Sequence, residues 1–535
     1  MPNFGQKIKP NSEEQLRNAR QQNELLQIRY QVKQLDLAAV RVFVLYNLAA
    51  SIWKNKSTDS SEAMDFALEA FADLQENKSS IPNLYFNDFN SSILALLETH
   101  SPSSVPKLRE KYGLDKSQSE IDVAYSLLKN KNGAGLAIAK LRRGVRDGEE
   151  IDPLTLFFLL RLQEEKHPAF SDVLSEIISV EERNSGTYSI ATLFSLIHLY
   201  RDAAVSPNLW NRFVIVILRT AQKAAASTQT NTDEAYNLLN TIISDLEIKS
   251  PNSSLLAEAY ATKNALRIRI SQRAKEAEAA YEKIRESEDR LKETISQAEA
   301  VKDEGLKEEL FDEAARLALD KNEFRLAVEL IEKIDFAKDE NKLRWHDQFL
   351  QNVVTKSLRE KDVESASLAD SKIIENLSRA LSLQKLGIYF YSKKNLISGA
   401  LSFDEALKLI NKNEDGVAKT NALIKFLSDS MIVKADQTAD VIPPLIKSIN
   451  ALHTPAAGEK PEGDKYKKYV TSIMQINWNL FSVLQVLGTS NQPAARELAV
   501  RIDKKEVKIV ADLALWLTEV KTKRDEKETK YESSK

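Results

Sequence analysis

The sequence predicts an all-α protein, organised as a superhelical array of antiparallel helix hairpins. Three observations support this fold class. The 535 residues include only 14 Gly and 14 Pro, well below the average usage of about 7% and 5%, and long helices need neither. Between residues 252 and 386 the only Gly or Pro is Gly305. A helix–turn–helix pattern also recurs through the C-terminal half.

Composition excludes several functional classes. Hydrophobic residues make up 43% of the chain and charged residues 29%, which indicates a folded, soluble protein. The formal net charge of -3 lacks the basic excess that is typical of nucleic-acid-binding domains. Because the chain contains no cysteine, disulfides, thiolate nucleophiles and Cys-ligated zinc are excluded.

The first residues predict a cytoplasmic protein, and the alternative of an exported form whose true start lies upstream stays open. Residues 1–26 contain no apolar run of the kind that a secretory signal needs. The run Leu37–Trp53 is apolar but carries Arg41, and it is shorter than the roughly 20 residues of a membrane-spanning helix. We interpret it as a buried helix and expect no membrane span.

Residues 253–300 are predicted to form one long helix, since they are rich in helix-forming residues and contain no Gly or Pro. A narrow apolar stripe repeats every seven residues, at Ile270, Ala277, Ile284, Leu291 and Ala298. Such a stripe is typical either of a coiled-coil seam or of a long helix that lies on its neighbours. The second interpretation is favoured because alanine is common in the stripe.

The recurring pattern is a polar turn followed by a small residue that opens a second helix. In the first copy the turn is Asp320–Glu323 and the small residue is Ala327, with Leu330 and Ile334 on the same face. Where two helices meet near their turn the backbones are closest, and a large side chain would hold them apart. Equivalent small residues follow polar turns at four later places: Ala366, Ala400, Ala439 and Ala495.

The N-terminal half repeats more loosely and includes two strongly apolar runs, Pro153–Leu162 and Leu209–Leu218. The second is rich in β-branched residues and could be read as a strand. Pro207 and Asn208 suit a helix start, so we predict a helix there.

The predicted organisation therefore has four parts. Residues 1–20 form a flexible N-terminus and 21–248 an N-terminal helical domain of degenerate hairpins. Residues 253–520 form the C-terminal repeats, with a flexible loop at 454–465. Residues 521–535 form a disordered, charged tail.

The helix–turn–helix unit resembles the tetratricopeptide repeat family. Ala315 corresponds to the family's small residue in the first helix, Tyr391 to the aromatic near its end, and the five alanines to the small residue that opens the second helix. The family's later small residue in that helix is replaced by Ile or Leu, and its closing Pro has no regular equivalent, so another α-solenoid class remains open. The resemblance covers residues 306–520 and implies a superhelix whose inner groove binds peptides or protein surfaces.

Motifs of catalysis are absent from the sequence. No GxxxxGK[ST], GxGxxG or GxSxG segment occurs. The five histidines are scattered, and the single ExxH of Glu164 and His167 lacks the second such unit that a di-iron site requires. His346 and Asp347 are adjacent, and because neighbouring helical residues diverge we expect no dyad. We assign no catalytic, cofactor-binding or metal-binding residue and expect no cofactor.

The sequence thus predicts a non-catalytic interaction scaffold that binds a protein or peptide, and not nucleic acid, on the concave face of a helical solenoid. Tyr391 is the one candidate for a groove-lining side chain, and the alternative is that it packs against an adjacent repeat. Two other functions remain open. One is a helical enzyme or ligand-binding domain in the N-terminal half, and the other is self-association through a coiled coil at 255–300.

Overall fold

The fold is all-α in every part of the chain that the computed structural model describes. It describes residues 12–533 apart from 56–59, 115–134, 136–137, 140–141, 144–152, 165, 184–189, 202–205, 227–231, 251–252, 337–338 and 454–462. These described residues form 24 α-helices and one short 3-10 helix, without a strand. The prediction of an all-α protein is confirmed.

Of the helices in the described residues, thirteen precede residue 301. They are α1 (Ser12–Val32), α2 (Ala38–Asn55), α3 (Ser60–Glu76), α4 (Asn83–His100), α5 (Ser104–Tyr112), α6 (Pro153–Glu164), α7 (Phe170–Arg183), α8 (Ile190–Arg201), α9 (Pro207–Ala226), α10 (Thr232–Lys249), α11 (Ser254–Arg267), α12 (Gln272–Glu286) and α13 (Arg290–Ala300). The run Leu209–Leu218 lies inside α9, so the helical prediction for it is correct.

Eleven helices follow, with the 3-10 helix at Asp436–Thr438 between the seventh and the eighth of them. They are α14 (Glu304–Asp320), α15 (Phe324–Ile331), α16 (Glu340–Arg359), α17 (Val363–Lys372), α18 (Asn376–Ser392), α19 (Leu396–Asn411), α20 (Val417–Val433), α21 (Ile442–Asn450), α22 (Asp464–Ser490), α23 (Gln492–Val500) and α24 (Lys505–Ser533).

The long helix predicted near residues 253–300 is wrong, because this segment forms three helices. Side-chain oxygens of Ser253, Ser271 and Asp289 each accept a hydrogen bond from the first turn of the helix that follows, at the N–H groups of Leu256, Ala274 and Lys292. Capping of this kind stabilises a helix start by about 1 kcal/mol. The apolar stripe therefore does not lie along a continuous helix, which a coiled-coil seam would need.

Two chain ends are more helical than the sequence suggests. Residues 12–20, assigned above to a flexible terminus, belong to α1, and residues 521–533 of the predicted tail continue α24. Both segments are polar, yet neither contains Gly or Pro and both are rich in Glu, Lys, Arg and Gln, which are good helix formers. Of the loop predicted at 454–465, residues 454–462 lie outside the described part, and Asp464 already begins α22.

Contacts divide the chain into two compact units, which we call unit 1 (residues 1–86 and 308–535) and unit 2 (residues 87–307). The predicted boundary at 248–253 instead falls inside unit 2, where α10 contacts α11. In unit 1 the first helices of the chain return to the last ones: α1 and α2 contact α24, and α2 contacts α22.

Aromatic side chains stabilise the contact between α2 and α22 in unit 1. The buried ring of Phe43 on α2 lies 5.6 Å from the ring of Trp478 and 5.4 Å from that of Phe481, both on α22. The hydroxyl of Tyr85 donates to the backbone oxygen of Thr471 at 3.2 Å. Burial of such rings accounts for much of the packing energy of an interface.

Unit 2 contains a buried polar cluster whose side chains come from three helices. Glu278 of α12 receives hydrogen bonds from Tyr236 of α10 and from Lys263 of α11, whose Nζ lies 3.1 Å from Oε1. Arg267 lies 3.2 Å from the other carboxylate oxygen. Because a buried carboxylate is costly unless it is paired, this cluster fixes how α12 packs on its neighbours.

Candidate interaction surface

Four turns of unit 1, each after the first helix of a pair, share one backbone structure. The turn residues Asn322, Lys361, Lys394 and Lys434 all have a left-handed backbone, with φ of 61°, 66°, 60° and 55°. In each turn the next residue donates its N–H five positions back, as Glu323 does to the oxygen of Ala318 at 2.8 Å. This is the Schellman motif, which satisfies the last carbonyls of a helix. At these four places the polar segments of the sequence repeat are therefore turns of the same kind.

Three of the five predicted small residues are fully buried within a second helix. Ala327, Ala366 and Ala495 are each 0% exposed and belong to α15, α17 and α23. Ala327 and Ala366 stand five residues after the left-handed residue of their turn. A side chain no larger than a methyl group lets the second helix of each pair approach the first.

The third pair of helices, α18 and α19, uses glycine where alanine was predicted. Five residues after Lys394 comes Gly399, which is buried, whereas Ala400 is half-buried. A Cβ atom placed on Gly399 would meet the Tyr391 ring at 2.7 Å, and one on Gly387 would meet the Phe403 ring at 2.7 Å. The prediction for Ala400 is therefore off by one residue.

The fourth pair, α20 and α21, departs from the pattern. Ala439 is exposed and follows the 3-10 helix at residues 436–438, so the prediction of a close helix contact there is wrong. Proline lacks an N–H and is tolerated only in the first turn of a helix, and Pro443 therefore moves the helix start to Ile442. Ile442 is 4% exposed and contributes to the buried side of α21.

Tyr391 packs between the two helices of its own pair. Its ring contacts Gly399 and lies 5.9 Å from the Phe403 ring, and the residue is half-buried. This position is neither the groove nor the contact with an adjacent repeat that the sequence predicts. A groove-lining role for Tyr391 stays a prediction that these contacts do not support.

The first helices of successive pairs lie side by side in unit 1. Helix α16 contacts α18, α18 contacts α20, α20 contacts α22, and α22 contacts α24. Polar side chains join these helices: Gln351 donates to the backbone oxygen of Ser378 at 2.9 Å, Lys385 donates to the Thr355 hydroxyl at 2.9 Å, and Asn479 donates to the Asn421 amide oxygen at 3.1 Å.

We call this set of side chains the first-helix face; it comprises Gln351, Thr355, Ser378, Lys385, Asn421, Lys425 and Asn479. All seven are exposed or half-buried. Burial, and then the nearby charge of Lys425, lower the pKa of Lys385. Lys425 forms an ion pair with Asp429 one turn further along α20. The face therefore offers amides, hydroxyls and two ammonium groups side by side.

A cleft of about 390 Å³ lies between α1, α2 and α3 in unit 1, lined partly by Lys33, Arg41, Glu69, Asp73 and Glu76. Arg41 donates to both oxygens of Asp73 at 2.8 and 2.6 Å, and this hydrogen bond raises the pKa of Arg41 despite its burial. The guanidinium thus binds both oxygens of the Asp73 carboxylate.

His346 and Asp347 do form a dyad, contrary to expectation. Nδ1 of His346 lies 2.9 Å from Oδ1 of Asp347, and both residues are 0% exposed. Successive helical residues step about 100°, but α16 is covered over a wide arc, so both side chains reach the same buried flank. Among the described residues no group of three or more acids and histidines could hold a metal ion.

The other histidine that the sequence singled out lies at a helix end. Nδ1 of His167 accepts a hydrogen bond from the N–H of Ala169 at 3.2 Å, just beyond the end of α6. Within the described ranges, no helix combines the length and the apolar character needed to cross a bilayer.

Comparisons with known proteins do not assign a family. No family model matches the sequence, and the search of curated proteins found no match.

Proposed function

We propose that this protein is a non-catalytic scaffold, an α-solenoid whose first-helix face binds a peptide or protein segment. The observation that carries the proposal is the order of helix contacts in unit 1, where each first helix contacts the next first helix from α16 to α24. The pairs α14–α15, α16–α17 and α18–α19 are joined by turns of three residues, and helices joined by such short turns run antiparallel. Stacked in this order, they form an extended array with one continuous face.

Unit 2 has a similar order of contacts and supports the same class of fold. Helix α7 contacts α9, α9 contacts both α10 and α11, and α8 contacts α10. Helices that contact their second neighbours along the chain are typical of repeat arrays. A tetratricopeptide-like array is the form that the residues favour.

The chemistry of the first-helix face indicates the kind of partner. Amide side chains such as Asn421 and Asn479 can both donate to and accept from a peptide backbone. Lys385 and Lys425 supply positive charge beside them. An extended peptide that carries acidic side chains satisfies both groups, and the face needs no bound cofactor to recognise it.

The test uses the purified full chain and a displayed library of random peptides. A selected peptide is titrated by fluorescence anisotropy against the wild type and an Asn421→Ala/Asn479→Ala double variant. Each lost hydrogen bond is worth about 1 kcal/mol, so we expect affinity to fall about tenfold or more.

The matched control is the double variant Glu329→Ala/Ser367→Ala, which changes exposed residues on α15 and α17 and should bind as the wild type does. Equal binding by the face variant and the control, or failure to select any peptide, would contradict the proposal. Circular dichroism establishes that both variants remain folded.

A further inference from the structure

His346 lies where three segments of unit 1 meet. Its ring is fully buried, with Nδ1 at 2.9 Å from Oδ1 of Asp347 and Nε2 at 3.0 Å from Oε1 of Glu332. Glu332 follows the last residue of α15, while His346 and Asp347 belong to α16. The Phe336 ring covers the imidazole, with centroids 4.1 Å apart. Both ring nitrogens therefore face a carboxylate oxygen.

Asp347 also holds the segment that leads into α18. Its Oδ1 accepts the N–H of Ile374 at 3.1 Å and its Oδ2 accepts the N–H of Glu375 at 2.8 Å. A carboxylate that accepts these hydrogen bonds has no proton to offer the imidazole. The ring must supply the hydrogen between them.

We propose that protonated His346 is a pH-sensitive lock that joins α15, α16 and the start of α18, and that the lock opens when the ring loses its proton as the pH rises. A neutral imidazole carries one N–H and can serve only one of the two carboxylates. The imidazolium serves both.

The surrounding charges favour the protonated ring. The charged groups of the cluster are Asp347 on the same helix, Glu332 beyond α15, and Lys372 of α17, whose Nζ lies 3.2 Å from Oε2 of Glu332. With an imidazolium the cluster is electrically neutral, and without its proton the cluster carries one buried negative charge. Such a charge is costly.

The pKa of His346 follows from these opposing effects. Burial lowers it, but the hydrogen bonds and charges of Asp347 and Glu332 raise it by more, so that it lies above the ordinary value of 6.5. Since the folded pKa is raised, the stabilisation is fully present below pH 6.5 and is lost as the pH rises through the folded pKa.

When the ring loses its proton, the contact that breaks is the one between His346 and Glu332. The Asp347 side chain is 0% exposed, whereas that of Glu332 is 35% exposed and has Lys372 as a second partner. The remaining N–H therefore stays on Asp347, and the end of α15 separates from α16.

The test follows the imidazole signals of the full chain, labelled with ¹³C at histidine, from pH 5 to pH 9. The chain has five histidines, and His346→Gln identifies the signal; if that variant does not fold, single Gln variants of the other four identify it by elimination. We expect a midpoint above 6.5 that falls by about one pH unit in Glu332→Gln. The control Glu329→Gln, an exposed position on α15, should leave the midpoint unchanged.

Hydrogen exchange gives a second readout. Protection factors of residues 330–336, corrected for the intrinsic pH dependence, should fall above the midpoint in the wild type, whereas in Glu332→Gln they should be low at every pH. A midpoint at or below 6.5, or one that Glu332→Gln does not move, would overturn the lock.

Discussion

The ring of Tyr391 lies so close to Gly399 that a Cβ atom on the glycine would sit 2.7 Å from it. Tyr391 lies in the last turn of the first helix of its pair and Gly399 in the first turns of the second. The close approach of α18 and α19 thus depends on a missing methyl group, and the same is true of Gly387 against Phe403.

Gly399→Ala should destabilise unit 1 by about 1–3 kcal/mol, since an added methyl forces the Tyr391 ring or a helix to move. Helix propensity alone predicts the opposite, a gain of up to about 1 kcal/mol. The sign of the change in the free energy of unfolding, measured with urea, therefore shows whether steric overlap or helix propensity dominates. Ala400→Ser, at the half-buried neighbour, is the control and should change the free energy of unfolding by less than about 1 kcal/mol.

Lys361→Gly should stabilise the protein by roughly 1 kcal/mol. The residue has φ of 66°, a left-handed backbone that costs a side chain with a Cβ about 1–2 kcal/mol and costs glycine almost nothing. Glu329→Gly, in the exposed interior of α15, should lose roughly 1 kcal/mol instead. Thermal unfolding midpoints that move in the same direction for both variants would contradict the argument.

Phe43→Ala should destabilise unit 1 by about 3–5 kcal/mol, because the variant loses a buried ring that contacts Trp478 and Phe481. Leu84→Ala is the control, since Leu84 is 72% exposed. Chemical unfolding, followed by tryptophan fluorescence, measures both. Equal small losses would show that the return of α2 to α22 contributes little.

Glu278→Gln should make the stability of unit 2 less dependent on pH in acid solution. Burial raises the pKa of Glu278, but hydrogen bonds from Tyr236 and Lys263 and the charges of Lys263 and Arg267 lower it by more, below its ordinary 4.5. Because the folded pKa is depressed, its stabilisation is present above pH 4.5 and is lost as the pH falls through the folded pKa.

We therefore expect wild-type unit 2 to lose stability below pH 4.5 more steeply than Glu278→Gln, which is less stable at pH 7 because Lys263 and Arg267 lose their partner. Urea unfolding at pH 3 to 7 measures the difference. As a control, Glu286→Gln, at the end of α12 and exposed, should keep the wild-type profile. If the free energy of unfolding depended on pH in the same way for Glu278→Gln and the wild type, the expected role of the cluster would be contradicted.

Local patterns carried the predictions that succeeded. The scarcity of Gly and Pro indicated helix throughout, and the polar segments at 320–323 and 359–362 do separate helices. The break of residues 253–300 into three helices also had a local signal, since Ser271 and Asp289 are good capping residues, but the apolar stripe was given more weight. Gly387 and Gly399 were a missed signal as well, because glycine inside a helix is unfavourable unless a close contact requires it.

The sequence by itself determined that the chain is helical and that polar turns precede α15 and α17. Only the tertiary structure decided that α2 contacts α22, that Tyr391 lies against Gly399, and that His346 lies between two carboxylates, Glu332 just beyond α15 and Asp347 of α16. The physical reason is how far apart along the chain the interacting residues lie. Backbone propensity, capping and turn formation depend on residues a few positions apart, whereas these contacts join residues that lie far apart along the chain or whose side-chain directions depend on what covers each helix.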